Sequence, residues 1–180
     1  MNNMDTNIST KNGTITIRPA QDEDVASYRD LRLEALRNHP VAFSADYDAN
    51  KRQPPAYWEG RLRELGDGGM LYFATHEGRL IGMCGVYRGN SPKTQHSAFI
   101  VSVYIQPEWR GLGLAETLIE ACLAWGRTHG VSIAKLGVST DNIAAIHCYV
   151  RCGFQVYGVE PSALYYDGVM YDELLMVRLL

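Results

Sequence analysis

Along the chain, apolar positions change period several times. Residues 13–20, "GTITIRPA", alternate and are β-branched, which predicts a first strand. Residues 21–40 open on acidic side chains, carry Val25, Tyr28, Leu31 and Leu36 near one face, and end at Pro40, which predicts a helix. "VAFSADYDANKRQPP" reads as a long loop or broken helix, "AYWEGRLREL" as a short helix and "GDGG" as a turn. "MLYFATHEGRLIGMCGVYRG" reads as a hairpin bent at Glu77-Gly78, followed by a loop over "NSPKTQ". "HSAFIVSVYI" is apolar on both faces, so it belongs inside a sheet. Residues 113–129 place Leu114, Leu118, Cys122 and Trp125 at helical spacing, with Gly130 as the stop. A strand over "AKLGVST" and a helix over "DNIAAIHCYVRCG", capped by Asp141 or Asn142, come next. Two late strands, "FQVYGVE" and "YDELLMVRLL", are joined by a turn around "YDGV". The order β-α-α-β-β-β-α-β-α-β-β predicts an α/β domain over residues 13–180, a mixed sheet with helices on its faces, behind a disordered tail over residues 1–12.

Composition narrows the function. At 180 residues and 46% hydrophobic, the chain can bury one sizeable core. A net charge of −3 gives no electrostatic footprint for nucleic acid. No apolar run approaches the ~20 residues of a membrane span, so a soluble cytoplasmic protein is expected. Cys84, Cys122, Cys148 and Cys152 lie in apolar or helical patterns without zinc spacing, which predicts buried thiols and no metal.

Candidate chemistry centres on "IQPEWRGLGLAETL", residues 105–118, where a strand ends in a proline and a glycine-rich turn opens a helix. Free N–H groups at such a helix start, and the helix dipole, favour an anion. Arg110 adds a charged fork suited to phosphate oxygens. The dinucleotide spacing G-x-G-x-x-G fails, because Glu116 stands where the third glycine belongs, and no P-loop spacing is present.

The turn matches R-x-x-G-x-A, and the later helix matches N-x-x-A-I-x-x-Y-x-x-x-G-F through Asn142, Ala145, Ile146, Tyr149, Gly153 and Phe154. Together, and in this order, these motifs resemble the two cofactor-binding motifs of the GNAT superfamily of N-acetyltransferases. The resemblance implies a central mixed, mostly antiparallel sheet splayed after its fourth strand, with acetyl-CoA as co-substrate in the gap. It implies that Val103, Tyr104 and Ile105 bond the pantetheine through their backbone, with the Val103 N–H facing the thioester carbonyl. It implies that Arg110, Gly111, Leu112, Gly113, Leu114 and Ala115 cradle the pyrophosphate, that Asn142 contacts the pantetheine, and that Tyr149 sits near the sulfur as general acid. A thiol leaves with a pKa of roughly 8.5 against about 10 for tyrosine, so Tyr149 can donate a proton or a hydrogen bond to it.

The chain departs from that pattern in two places. Leu112 stands where a basic residue is frequent, and "HSAFIVSVYI" carries no carboxylate to serve as general base. Glu34 or Asp141 acting through water, and His96, are the candidates for the base. The acceptor is a small-molecule amine or the amine of a protein or peptide. Phe43, Tyr47, Tyr57, Trp58, Tyr165 and Tyr166, near Asp46, Asp48 and Asp167, either wall a cationic acceptor or pack under a long loop. Alternatives to an N-acetyltransferase are a non-catalytic acyl-CoA-binding module and an acyltransferase using a longer acyl group. Homodimers are frequent among the proteins it resembles, and nothing in the sequence decides that state here.

Overall fold

The computed structural model describes residues 5–63 and 68–180. Eight strands form one sheet: β1 (Thr6–Thr10), β2 (Gly13–Pro19), β3 (Gly69–His76), β4 (Arg79–Arg88), β5 (Ser97–Ile105), β6 (Ile133–Ser139), β7 (Gln155–Tyr166) and β8 (Val169–Leu179). Among the described residues five α-helices accompany them: α1 (Val25–Asn38), α2 (Tyr47–Lys51), α3 (Pro55–Arg63), α4 (Leu114–Thr128) and α5 (Ile143–Arg151). The spatial order is β1-β2-β3-β4-β5-β6-β8-β7, antiparallel throughout except for β5 beside β6. None of the described helices is long and apolar enough to cross a membrane.

The tail expected over residues 1–12 gives way to a strand at Thr6–Thr10. Its Thr-Asn-Ile-Ser-Thr sequence alternates, Ile8 packs against the core, and the Thr10 hydroxyl donates to Gly13 O at 2.8 Å across a tight turn. This strand makes the splay fall after the fifth strand rather than the fourth. The long loop contains a short helix because Asp46 Oδ1 accepts from Ala49 N at 2.7 Å, capping α2. The "GDGG" turn lies partly outside the described residues. The final hairpin is longer than its apolar segments predict, running from Gln155 to Leu179 around Asp167 and Gly168, both at positive φ, with register shifts after Val156 and after Glu160.

Two apolar layers sandwich the sheet. On one face, Leu118, Ile119, Cys122 and Leu123 of α4 pack with Ile15, Ile81, Ile100 and Leu136. On the other, Tyr28 and Leu31 of α1 and Trp58 of α3 pack with Phe73, Met83 and Tyr104. Alternate residues of each strand feed opposite layers, and each fully buried aliphatic side chain contributes about 1.5–3 kcal/mol.

Two irregularities in β5 create a site. Its parallel pairing with β6 stops after Ser97↔Ile133, Ala98↔Ala134 and Phe99↔Lys135, so the strands separate beyond Phe99. On its other side, the register with β4 jumps from Gly85↔Val101 to Met83↔Tyr104, one residue extra on β5. Ser102 absorbs the bulge at φ +56°, a left-handed conformation uncommon for a side chain larger than glycine.

Candidate active site

The separated strands enclose a cleft of about 450 Å³. Residues 100–105 of β5 form one wall and residues 137–139 of β6 the other. The start of α4 and the inner face of α5 close one end, and His39, Ala42 and Phe43, after α1, close the other. Val103, Tyr104 and Ile105 all line it, with Ser102 and Val103 bulged out of register with β4.

At the glycine turn, Gly111 and Gly113 both adopt positive φ, +75° and +73°. A Cβ added at either would meet no protein atom within 4 Å, so the backbone here faces open space. Gly113 is the N-cap of α4 and has no side chain to satisfy the first helical N–H groups, which therefore point toward the cleft uncapped. Leu114, Ala115 and Glu116 line it, whereas Leu112 packs its side chain on the core. Apolar packing is the local reason that no basic residue is needed at position 112 to hold the turn.

Arg110 lines the cleft, but its guanidinium turns toward β5 and α1. Nε donates to Ile105 O at 3.0 Å and Nη2 donates to His39 Nε2 at 2.9 Å. Arginine cannot accept, so His39 is the neutral tautomer protonated at Nδ1. Burial, then the Arg110 charge, hold the His39 pKa below its ordinary value. The cationic contribution at the turn is thus directed mainly to pinning the strand end, leaving N–H groups and the helix dipole to face an anion.

On the opposite wall, Asn142 caps α5 through Oδ1, accepting from Ala145 N at 3.2 Å, so its amide N–H groups are the part left to face a ligand. Tyr149 lines the cleft at 8% exposure. Burial pushes its phenol pKa well up, with Cys84, Cys148 and Cys152 adding to the shift, so the hydroxyl stays protonated. All four cysteines are buried free thiols, and the Cys84 and Cys122 sulfurs lie 3.4 Å apart beneath this wall. Among the described residues, no cluster of three or more His, Cys, Asp or Glu is placed to hold a metal ion.

The three expected bases occupy different surroundings. Glu34 accepts from Tyr104 Oη and Gln106 Nε2, each at 2.8 Å, outside the ring of cleft-lining residues. Burial, then the bond to Glu34, raise the Tyr104 pKa to about 12. Asp141 and His96 are exposed and do not line the cleft; His96 precedes β5 at its paired end. Of the aromatic residues flagged near the acceptor, Phe43 lines the cleft. Trp58 is fully buried against Tyr28, and Tyr47 sits with Lys51 5.6 Å from its ring centroid. Tyr165 and Tyr166 are exposed on the hairpin. Asp46 is used as a helix cap. Behind Phe43 stands Arg32, its guanidinium 4.6 Å from the ring centroid and its buried Nη1 without a hydrogen-bond partner among the described residues. Burial lowers its pKa to about 10, still a cation at neutral pH.

Sequence reasoning missed two features. His39 sits directly before Pro40 and looks like a helix end. Glu173 lies on β8, where nothing in the sequence reveals that its Oε2 leans over Gly137, 2.6 Å from where a Cβ would stand.

The profile of the acetyltransferase (GNAT) family matches residues 21–154. The chain belongs to that family. Its GNAT segment runs from the turn before α1 to the end of the α5 motif and stops short of the β7–β8 hairpin. The chain is 28% identical over 168 residues to phosphinothricin N-acetyltransferase of Alcaligenes faecalis, covering 91% of this chain and 81% of that one. It is 25% identical over 144 residues to an uncharacterized N-acetyltransferase of Methanocaldococcus jannaschii, covering 79% of this chain and 61% of that one. In fold it resembles a GNAT acetyltransferase from Streptococcus pneumoniae (TM-score 0.82, 24% identity, 92% of this chain and 99% of that one). It also resembles a phosphinothricin acetyltransferase from Sinorhizobium meliloti, solved with acetyl-CoA (TM-score 0.81, 21% identity, 92% and 88%).

Proposed function

We propose that this GNAT protein transfers an acetyl group from acetyl-CoA to the primary amine of an acceptor, by direct attack within a ternary complex. The observation that carries the reading is the cleft between β5 and β6, with an uncapped helix start at one end and Tyr149 on its wall. The open backbone at Gly111 and Gly113 fits a pyrophosphate approached by N–H groups. The separated edge of β5 fits an extended amide-bearing chain. The structure of the Sinorhizobium relative with acetyl-CoA supports the same co-substrate here.

In this reading the Val103 N–H donates to the thioester carbonyl and stabilises the oxyanion formed on attack. Asn142 orients the pantetheine through its amide N–H groups. Tyr149 hydrogen-bonds the sulfur as the C–S bond breaks, and Arg110 holds the end of β5 in register with the turn. The acceptor enters past His39 and Phe43. Relatives named for phosphinothricin and for L-methionine sulfoximine or L-methionine sulfone support a small amino-acid-like amine. The exposed Val156, Tyr157 and Val159 on the edge strand β7 support a homodimer formed along that edge. Light scattering that finds only monomer at micromolar concentration would remove that part.

The test is thiol release from acetyl-CoA against a panel of amines, amino acids and N-terminal peptides. Release that depends on one acceptor class, with the acetylated product seen by mass spectrometry, is expected. Tight acetyl-CoA binding with no release on any acceptor would replace the enzyme by a binding module. Release only from a longer acyl-CoA would change the donor.

A further inference from the structure

The acetyl-transfer reading needs a group to remove a proton from an ammonium with a pKa of roughly 10, and β5 offers no carboxylate. We infer that Glu173 on β8 is that general base, reaching the acceptor across the bare backbone of Gly137. This rests on the acetyltransferase reading and adds a residue beyond the segment matched to the family.

Placement carries the inference. Ala134, Leu136 and Val138 of β6 point into the layer under α4 and α5. By alternation, Gly137 and Ser139 present the opposite face, the one carrying His39 and Phe43. Met176 and Leu174 of β8 also join the α4–α5 layer, so Glu173 shares the face of Gly137. Glu173 pairs in register with Ser139, and Gly137 and Ser139 both line the cleft. Because position 137 has no side chain, the carboxylate sits directly over this cleft-lining residue, with a Cβ there 2.6 Å from Oε2, while Glu173 itself stands just behind the ring of lining residues. The Pro40–Ala42 turn, which carries Ala42 into the cleft wall, packs over β6 and β7 at this edge.

The chemistry fits. Among the described residues no hydrogen bond or ion pair holds Glu173. Burial, then the charge of Glu160 directly across on β7, raise its pKa above the usual carboxylate range. A base of this kind is poised closer to neutrality than a surface carboxylate. Lys135 lies two residues from Gly137 on the same face, and neutral His39 has its Nε2 already committed to Arg110. Glu34 has both oxygens engaged by Tyr104 and Gln106.

In the step, one proton leaves the acceptor ammonium for the Glu173 carboxylate. The neutral amine attacks the thioester carbon, forming C–N. The C–S bond breaks with its electron pair on sulfur, the second N–H proton passes to the thiolate to give the thiol, and Glu173 returns its proton to water.

The experiment compares wild-type, Glu173→Gln and Glu160→Gln proteins in the thiol-release assay across pH, with acetyl-CoA affinity measured separately. Glu173→Gln is expected to lower kcat by about 10²–10⁴, to leave acetyl-CoA affinity within about twofold, and to lose the low-pH inflection set by the carboxylate. Its residual rate should climb with pH as free amine accumulates. Glu160→Gln removes the neighbouring charge, so its acid limb should move to lower pH, an effect no purely structural role would produce. Wild-type turnover in Glu173→Gln, or an unmoved acid limb in Glu160→Gln, overturns Glu173 alone. Absence of thiol release by the wild-type protein with every amine overturns the reaction, and the base with it.

Discussion

Tyr149→Phe separates two ways in which a phenol can assist a departing thiolate. As a full proton donor, Tyr149 would contribute about 10²–10⁴ in rate. The structure argues for less. Burial, with three nearby thiols adding to it, raises the phenol pKa well above 10, while the leaving thiol sits near roughly 8.5. Transfer of the proton from Tyr149 to the thiolate is therefore uphill, and a hydrogen bond to the developing charge is what the residue supplies. Such a bond to a charged group is worth about 1.5–3 kcal/mol, which corresponds to a fall in kcat of about ten- to 150-fold. The ring remains, still packed near Phe154 at 6.3 Å between centroids, so stability should change by about 1 kcal/mol or less. Thiol release at saturating acetyl-CoA and amine gives kcat, single-turnover mixing isolates the chemical step, and thermal unfolding checks the fold. A loss above about 10³ in the single-turnover rate would mean that the proton itself is transferred. An unchanged single-turnover rate would refute any role at the sulfur.

Three further outcomes are expected. Asn142→Ala removes the α5 cap, costing about 1 kcal/mol, and should weaken acetyl-CoA binding as well; a stability loss with unaltered affinity would leave Asn142 a cap only. Arg32→Met keeps an apolar stem beside Phe43 while deleting a buried cation whose Nη1 has no partner among the described residues. It should unfold at an equal or higher temperature, by up to about 2 kcal/mol, and a clear loss would mean that the charge is compensated. Tyr104 has its folded pKa raised to about 12 by burial and by Glu34, above the unfolded value near 10. Its stabilising contribution is complete below about pH 10 and is lost as pH climbs toward 12. Tyr104→Phe should therefore flatten the alkaline decline in chemical-denaturation midpoints, and an identical decline in both proteins would remove that contribution.

Most elements were legible because their apolar period is strong. α4 begins and ends within a residue of its expected span, and Gly130 at φ +76° stops it as its position suggested. The Glu77-Gly78 bend is present with both residues at positive φ. Edge elements were less legible. β1 is polar on its exposed face and owes its existence to pairing with β2, which no local pattern records. The part of the cleft lined by Arg110, Gly111, Gly113, Asn142 and Tyr149 was readable as two motifs, since each motif falls at short spacing along the chain. The end near His39 and Phe43 was not, because it joins residues distant in the chain. Arg110 meets His39 across 71 positions, and Glu173 leans on Gly137 from another strand. Trp58 was open between a binding wall and packing, and it is core, since aromatic residues carry the same signature in both roles.

Three ladder pairs, Ser97 to Phe99 against Ile133 to Lys135, extended by the Ser132 and Ile133 N–H groups donating to His96 O, form the backbone seam between the five-strand half of the sheet and the three-strand half. The seam and the shared core layer beneath it hold the two halves at one end, and the ladder stays open along residues 100–105 and 137–139 at the other. A ligand lying along the gap would supply the missing rungs of the ladder and act as a removable strand. Amide hydrogen exchange should then slow along residues 100–105 and 137–139 when such a ligand is added, while the seam, already protected, changes little.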